Sequence, residues 1–472
     1  MVTKMQQTIT LAYIPQLPKG SFHKEINSFH ILTHPTKPSW AVVNSFGWEI
    51  LKLCNGINSI SNIISTVQSQ HDVSRDIAEK DITAFIASIT KTGILSNETP
   101  QAMIQPAAIK SVFLHLTDAC NLSCKHCYAK NMSEGKTELT DRELVLFLEN
   151  FYAAGGKALV LSGGEPLLRK NFKNIFEVNP DAHFTLLTNA TLIDDECASF
   201  LSRCNVSIQA SIDGSTAEVH DSIRGAGAFY AALKGIEHLK HRGLLRKINL
   251  CTTVMKQNID DLPNIFPLAR KLGIPFVRFL PLRRKGNARY NWQDIQGGVT
   301  AGDYERFYKY VFDSAMKQYP EIEIRCGLSG YILDSKKLSG DGHWCPIGKN
   351  IVVDTRGNVY PCSLLIEDKF NIGNVRQNSM DDIQSHPVLV ELLEARITRK
   401  NRIDRCKHCM WKNFCQASCM GSVYEQQNTI LNTDEFCDFR IQLFEQSVIK
   451  LARNKSSVTP QPPFGDTATE CF

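Results

Sequence analysis

The 472-residue sequence lacks the features that would place it in a membrane, outside the cell or on nucleic acid. It has no run of eighteen apolar residues, so we expect no membrane-spanning helix. Residues 1–7 carry neither an apolar signal core nor a cleavage signature, and we therefore expect a cytoplasmic protein. The 53 basic and 48 acidic side chains leave a net charge of only +5, which gives no reason to expect nucleic acid as a partner.

What the sequence has in excess is cysteine, with 16 residues. In a cytoplasmic protein, metal binding explains so many thiols better than disulfides do. Cys120, Cys124 and Cys127 have the spacing C-x3-C-x2-C, and Tyr128 follows the last of them directly. Three thiolates can hold three corners of a [4Fe–4S] cluster and leave the fourth iron open to a substrate. Zinc is the chemical rival, but a closed zinc site needs a fourth ligand, and only His126 lies nearby.

A chain of this length should hold two to four domains, and the middle one alternates strand-like and helix-like stretches. Six such units predict an incomplete parallel α/β barrel, in which chemistry gathers where strands end. The polar and glycine-rich motifs of the sequence follow these strand ends. The expected strands are Val112–Leu116, Ala158–Leu161, His183–Leu187, Val206–Ala210, Ile248–Val254 and Phe276–Leu280.

The three-cysteine motif, together with Gly163-Gly164-Glu165-Pro166 after the second strand, resembles the radical S-adenosylmethionine (SAM) superfamily. The resemblance implies a partial (β/α)6 TIM-type barrel over 111–325 that binds SAM on a [4Fe–4S] cluster. It also implies reductive cleavage of SAM to a 5′-deoxyadenosyl radical, which takes a hydrogen atom from the substrate. We call Cys120, Cys124 and Cys127 the SAM-cluster cysteines.

The same resemblance implies a set of cofactor contacts at the strand ends. Arg224 could pair with the SAM carboxylate in a two-point contact, and a surface ion pair is the alternative. Ser207 and Gln209 should share the strand face of Ser211. Arg278, Arg283, Arg284 and Lys285, near the end of the sixth strand, form either a solvated rim or contacts to substrate. The expected SAM contacts are Tyr128, Gly163, Gly164, Glu165, Pro166, Asn189, Ser211, Asp213 and Arg224.

Seven cysteines in the C-terminal third have the spacing of the SPASM pattern, whose members carry auxiliary [4Fe–4S] clusters, over an expected domain at 326–445. A zinc ribbon is the rival interpretation, and it would leave three cysteines without a role. By resemblance, one cluster is held by Cys406, Cys409, Cys415 and Cys437, which we call the distal cysteine set. The other is held by Cys345, Cys362 and Cys419, the near cysteine set. Cys326 could complete the near set, or one iron could stay open for a substrate thiolate.

The first 96 residues predict a small winged-helix-like module with two strands and three amphipathic helices. The segments Pro38–Asn44 and Leu53–Gly56 resemble the PqqD-like recognition element of enzymes that modify ribosomally made peptides (RiPPs). That resemblance implies binding of a precursor-peptide leader by strand addition. A generic packing domain is the alternative. Residues 97–110 are expected to be a linker and residues 446–472 a disordered tail.

Together these features predict a radical SAM/SPASM maturase of a precursor peptide, supplied with electrons by a flavodoxin- or ferredoxin-type reductant. A thioether cross-link from a cysteine sulfur to carbon is the first expectation. Carbon–carbon or carbon–oxygen cross-linking and maturation of a small cofactor precursor are alternatives. Ser363 follows Cys362 where sulfatase-maturing relatives carry Asp, which argues against that activity. A metal-binding scaffold that delivers peptides is the non-enzyme alternative, and no catalytic residue is assigned.

Overall fold

The computed structural model describes residues 9–95, 108–128, 137–296, 299–326 and 345–454. The N-terminal domain is an antiparallel sheet in the order β1-β2-β3, followed by three helices. The predicted strands and helices are present, and β1 is an additional strand that the sequence analysis missed. The elements are β1 (Phe22–Ile26), β2 (Phe29–Thr33), β3 (Trp40–Val43), α1 (Ser45–Leu53), α2 (Ile60–Gln70) and α3 (Arg75–Lys91).

Both faces of this small sheet are covered. Leu32, Ala41 and Val43 face the helices of their own domain, where they join a local hydrophobic core. Ile31 and Val42, on the opposite face, belong to the large core of the rest of the chain. The alternation follows from the two-residue period of a strand. Within the described residues, therefore, only the outer edges of strands β1 and β3 lack a neighbouring strand.

The middle of the chain forms the predicted partial barrel of parallel strands, which is confirmed. Strands β4 to β10 lie side by side in chain order, and helices cover their outer face. The strands are β4 (Ser111–His115), β5 (Ala158–Ser162), β6 (His183–Thr188), β7 (Val206–Ser211), β8 (Ile248–Val254), β9 (Phe276–Pro281) and β10 (Glu323–Cys326). The helices are α4 (Asp141–Ala153), α5 (Asn174–Val178), α6 (Asp195–Ser202), α7 (Ala217–Arg224), α8 (Ala228–His241), α9 (Ile265–Leu272), α10 (Asn287–Tyr290), α11 (Trp292–Gln296), α12 (Ala301–Tyr310) and α13 (Met316–Gln318).

Local sequence explains these elements. Thr140 and Glu143 form a capping box at the start of α4, each side chain accepting the other's backbone N–H. On β7, Val206, Ile208 and Ala210 are buried against the helices, whereas the alternate residues are half-buried. The face of β7 that points to the barrel interior therefore carries the polar side chains Ser207, Gln209 and Ser211, which are only half-buried.

The C-terminal domain does not stand apart from the barrel. Its first strand, β11 (Asn350–Val353), pairs in parallel with β4 and thereby extends the barrel sheet. The predicted tail boundary at 446 is wrong, because the last helix continues to Asn454; residues 455–472 lie outside the described ranges. The other elements are β12 (Val359–Tyr360), α14 (Met380–Ser385), α15 (Pro387–Arg402), α16 (Asp404–Lys407), α17 (Lys412–Cys415), α18 (Met420–Gln427) and α19 (Cys437–Asn454).

Hydrogen bonds fix the N-terminal sheet to the C-terminal domain. Thr33 Oγ1 donates to the carbonyl of Met410 at 2.8 Å. Asn413 Nδ2, in a fully buried position, donates to the carbonyl of His34 at 3.0 Å. These contacts join the segment around Cys409 and Cys415 to the sheet of the N-terminal domain.

Candidate active site and auxiliary metal centres

The SAM-cluster cysteines lie in the loop after β4, at the carboxyl end of the barrel. Cys120 is exposed, Cys127 half-buried and Cys124 buried, and all three thiols are free. Burial raises the pKa of Cys124 to about 11, against the opposing effect of Arg224, whose Nη1 lies 3.9 Å from the sulfur. Cys127 lies near enough to interact electrostatically with both other thiols. Three converging thiols beside a buried cation fit a bound metal cluster, which would hold them as thiolates.

The turn Gly163–Pro166 after β5 is in contact with this loop. Gly164 N–H donates to the carbonyl of Thr117 at 2.7 Å, and Glu165 N–H donates to that of Ala119 at 2.8 Å. A Cβ on Gly163, whose φ is +126°, would lie 2.4 Å from Thr117 O, and one on Gly164 would lie 2.2 Å from Ala119 O. Only glycine permits so close an approach of the two backbones.

The buried carboxylate of Glu165 joins the ends of β5 and β6. It accepts from Thr188 Oγ1 at 2.7 Å and from Asn189 N–H at 2.9 Å. Burial raises its pKa and outweighs these donors. Pro166 then begins a short 3-10 helix, Pro166–Leu168. Glu165 is thus occupied by protein donors, and a SAM contact of this turn stays a prediction.

Asn189 connects the end of β6 to the cysteine loop. Its Nδ2 donates to Asn121 Oδ1 at 2.9 Å, and its Oδ1 accepts from Thr191 N–H at 2.9 Å. Asn121 lies between the first two SAM-cluster cysteines and donates in turn to Thr191 Oγ1 at 2.8 Å. Asn121 is not among the predicted site residues, although its position inside the C-x3-C spacing was a usable signal.

Asp213 and Arg224 form a buried ion pair behind the cysteine loop, so the surface-pair alternative for Arg224 does not describe the structure. Arg224 Nε donates to Asp213 Oδ2 at 2.6 Å, and Thr253 N–H donates to Oδ1 at 2.8 Å. Burial opposes the charge of Asp213, but Arg224 and His126 outweigh it and lower the pKa of the carboxyl. Arg224 therefore reaches both a carboxylate and the sulfur of Cys124. A contact to SAM stays a prediction.

Two buried histidines near this pair went unassigned as site residues. His126 Nε2 lies 3.4 Å from Asp213 Oδ2, and burial lowers the pKa of His126 to about 4. His220 Nδ1 accepts the backbone N–H of Asp213 at 3.2 Å, and burial lowers its pKa to about 4 as well. Both imidazoles are therefore neutral at pH 7. The proximity of helix α7 to strand β7 creates this arrangement, and no sequence spacing predicted it.

Tyr128 and Ser211 face the interior of the barrel. The Tyr128 hydroxyl lies 3.4 Å from both His115 Nε2 and Ser162 Oγ, and burial raises the pKa of Tyr128 to about 12. Ser211 is half-buried, as are Ser207 and Gln209 on the same strand face, which matches their expected alternation. Direct contact of these residues with SAM stays a prediction.

Residues 283–291 connect the SAM-cluster loop to the C-terminal domain. Asn287 Nδ2 donates to the carbonyl of Cys124 at 3.0 Å, and Asn287 N–H donates to that of Cys127 at 2.8 Å. From the same segment, Lys285 Nζ donates to the carbonyl of Leu364 at 2.7 Å, two residues after Cys362. Lys285 is therefore a bridge between the two metal-binding regions rather than part of a solvated rim.

The C-terminal cysteines converge in two groups. The distal cysteine set lines one cavity together with Trp411 and Arg440. The thiols of the near cysteine set act electrostatically on one another, and burial raises the pKa of Cys345 to about 12. Among the described residues, no three histidine, cysteine or acidic side chains are arranged as ligands of a single metal ion. The side chain of Cys326 lies outside the described residues; its backbone pairs with Phe279 at the end of β10.

Comparison with known families assigns each region. Residues 114–269 match the profile described as the radical SAM superfamily. Residues 345–410 match the iron-sulfur cluster-binding domain SPASM. Residues 30–95 match coenzyme PQQ synthesis protein D (PqqD).

A curated relative decides the membership. An AdoMet-dependent heme synthase of Methanosarcina barkeri is 31% identical over 351 residues, which cover 69% of this chain and 95% of the relative. The chain belongs to the radical SAM superfamily. Mycofactocin maturase MftC of Mycolicibacterium smegmatis is 26% identical to this radical SAM protein over 317 residues, covering 66% of the chain and 77% of the relative. The radical SAM and SPASM domains imply [4Fe–4S] clusters and SAM as cofactors.

Solved structures show the same fold as this radical SAM protein. The structure of anSMEcpe with bound AdoMet has a TM-score of 0.62 and 21% identity, covering 74% of this chain and 96% of that one. Streptococcus suis SuiB bound to precursor peptide SuiA has a TM-score of 0.57 and 13% identity, covering 90% of this chain and 100% of that one. No helix in the described part of the radical SAM protein is long and apolar enough to cross a bilayer.

Proposed function

We propose that this radical SAM enzyme modifies a ribosomally made precursor peptide that it recognises through its N-terminal domain. The observation that carries the proposal is the presence of a PqqD-type domain, docked on the SPASM domain, in the same chain as the radical SAM barrel. The SuiB relative, which was solved with its precursor peptide, matches over the N-terminal domain as well as the barrel, since it covers 90% of this chain.

The N-terminal sheet supports peptide capture at an edge. Both of its faces are covered, and β1 carries three exposed side chains in a row, His23 to Glu25. An extended peptide can add to such an edge through backbone hydrogen bonds, while alternate side chains give selectivity. The leader of the precursor is the segment that we propose binds there.

At the barrel, Cys120, Cys124 and Cys127 would hold a [4Fe–4S] cluster. When bound, the cluster and SAM supply a 5′-deoxyadenosyl radical that can take a hydrogen atom from carbon. The chain's own residues would position the reacting groups. The turn Gly163–Pro166 lets its backbone approach that of the cysteine loop, and the Asp213–Arg224 ion pair lies behind Cys124. The half-buried polar face of β7 would line the space for the peptide.

We propose two auxiliary clusters, held by the distal and near cysteine sets, and a thioether as the product. Three thiols in the near set leave one position that a peptide cysteine could take, which favours sulfur-to-carbon bond formation. Each such bond removes two hydrogen atoms from the peptide. Electrons would come from an external flavodoxin- or ferredoxin-type protein. Because the free thiols suit a reducing compartment, we propose that the enzyme acts in the cytoplasm.

The decisive experiment combines anaerobic cluster reconstitution with mass spectrometry of a co-expressed precursor peptide. Cys124→Ala should abolish 5′-deoxyadenosine release with dithionite. Cys409→Ala should retain some release but form no cross-link. Cys204→Ser, outside all three cysteine groups, is the matched control and should behave like the wild type. Full peptide modification by the Cys409 variant would contradict the auxiliary-cluster role.

Maturation of a haem precursor is the second candidate, because the heme synthase of M. barkeri is 31% identical to this chain. Incubation of the reconstituted enzyme with iron coproporphyrin and SAM separates the candidates. We expect no porphyrin product, whereas the precursor peptide should lose hydrogen. The opposite result would replace the peptide proposal with the haem one.

A further inference from the structure

One arginine in the C-terminal domain is buried without a carboxylate. Arg399, on α15, is only 1% exposed. Its guanidinium donates to three backbone carbonyls, those of Ile430, Ser418 and Asn432. No aspartate or glutamate within the described ranges forms an ion pair with it. Carbonyl dipoles satisfy its hydrogen bonds but do not neutralise its charge, which leaves a buried cation in need of negative charge nearby.

Cysteines of both auxiliary groups lie near enough to interact electrostatically with Arg399. Cys419 and Cys345 belong to the near set, and Cys406 and Cys415 to the distal set. The contact with the Ser418 carbonyl places the guanidinium directly beside the backbone of Cys419. Toward the distal set, Ile403 N–H donates to the Arg399 carbonyl at 3.0 Å, and Cys406 N–H donates to that of Ile403 at 2.9 Å. Arg399 is therefore linked through the backbone to Cys419 of the near set and to Cys406 of the distal set.

A bound cluster would be held by these cysteines as thiolates, and reduction adds one further negative charge to each cluster. A fixed cation stabilises the reduced form more than the oxidised form, because the reduced form carries the larger negative charge.

We propose that Arg399 is a positioning residue that holds one positive charge between the near and distal cysteine sets and thereby raises the reduction potentials of both auxiliary clusters. This inference rests on the two auxiliary clusters of the proposed function. The redox step is the uptake of one electron by each cluster from a chemical reductant, and no bond to carbon forms or breaks.

A second buried arginine provides the matched control. Arg440 also lies beside the distal set, but it forms a double hydrogen bond with the buried carboxylate of Asp434, one contact being 3.0 Å. Its charge is therefore already balanced. Removing Arg440 and the Asp434 charge together deletes a neutral pair, whereas removing Arg399 deletes an unbalanced cation.

The test is potentiometric EPR of reconstituted full-length protein, with dithionite or titanium(III) citrate as reductant and iron content as the loading check. In Arg399→Met, the ratio of reduced to oxidised cluster at the wild-type midpoint should fall about tenfold for both auxiliary clusters, which is about 59 mV for one electron. Arg399→Lys keeps the charge and should stay near the wild type. The Asp434→Asn/Arg440→Met double variant should leave the near cluster unchanged and shift the distal one less than Arg399→Met does.

The outcomes distinguish a failure of the proposed auxiliary clusters from a failure of the proposed role of Arg399. Wild-type protein without two auxiliary cluster signals would remove the proposed clusters themselves. With both signals present, unchanged potentials in Arg399→Met would overturn the role of Arg399. An equal fall of the reduction potentials in Arg399→Lys would also overturn the role of Arg399, because lost packing rather than lost charge would then be the cause. If Arg399→Met fails to load iron, Arg399→Gln takes its place. If neither variant loads iron while Arg399→Lys does, the positive charge at residue 399 is required, which supports the inference.

Discussion

Replacing Asp213 with asparagine should loosen the barrel next to the SAM-cluster loop. In the wild type, Asp213 Oδ2 accepts from Arg224 Nε at 2.6 Å in a position that solvent does not reach. The asparagine side chain would keep an acceptor for the Thr253 amide but would leave the Arg224 cation buried without its counter-charge. Breaking a buried pair from one side costs about 3–5 kcal/mol.

The structure indicates where this loss should be seen. Because the chain has several domains, whole-chain melting is not a two-state transition, and local hydrogen exchange is the better measurement. The Thr253 amide on β8 donates to Asp213. A loss of about 3–5 kcal/mol should accelerate exchange of β7 and β8 amides by about 10²- to 10³-fold or more, at about 1.4 kcal/mol for each tenfold change.

A double-mutant cycle isolates the pair. Arg224→Met alone removes the cation and leaves Asp213 charged and buried, so it should also be strongly destabilising. The double variant Asp213→Asn/Arg224→Met should be less destabilised than the sum of the two single variants. Additive effects, or less than tenfold acceleration in Asp213→Asn, would refute the argument that the two charges depend on each other.

Three further predictions concern separate parts of the molecule. In Gly164→Ala the added methyl group would overlap the backbone of the cysteine loop, so an iron assay should show that the SAM cluster is lost. In the control Gly302→Ala the methyl group would make only an ordinary van der Waals contact, and this variant should keep its iron. Burial holds the pKa of His220 at about 4, below its unfolded value of about 6.5, so the unfolded state binds the extra proton and barrel stability should fall by up to about 3 kcal/mol as pH drops from 6.5 to 4. Hydrogen-exchange protection of the β7 and β8 amides, corrected for the intrinsic pH dependence of exchange, should therefore fall less with pH in His220→Gln than in the wild type, and an equal fall would contradict this. Asn413→Ala removes the buried hydrogen bond to the His34 carbonyl, which should cost about 0.5–1.5 kcal/mol, and it should speed limited proteolysis between the N-terminal domain and the barrel. Unchanged cleavage would show that this contact does not hold the domains together.

The barrel could be predicted from sequence because its strands are apolar runs followed by glycine or polar motifs. All six expected strands are present, with ends that agree to within one residue, and β8 (Ile248–Val254) agrees at both ends. Their parallel order follows from the helices between them. Strand β10, which pairs with β9, was not predicted. The joining of β11 to β4 was not predicted either, since pairing across about 240 residues leaves no local pattern.

The missed features have physical reasons. Strand β1 has exposed polar and charged residues, His23 to Glu25, because it lies at the edge of its sheet, so it lacks the apolar signal of a buried strand. The burial of Arg224 was not foreseen because charged residues are usually at the surface. Its partner Asp213 precedes helix α7, whose direction of packing only the folded chain defines. The grouping of the C-terminal thiols was predicted by family resemblance, and their roles as cluster ligands stay predictions.

The shared core between the N-terminal sheet and the rest of the chain, formed through Ile31 and Val42, has a consequence for how a peptide would be handled. Because the N-terminal domain is packed into this core, it would not bring a bound peptide to the barrel by a rigid-body movement. A peptide gripped at the sheet edge would have to reach the radical with its own backbone, at about 3.3 Å for each extended residue. The length of peptide between the bound leader and the modified residue would then determine which residue is modified. Adding one residue to that segment would move the modification by one residue along the peptide.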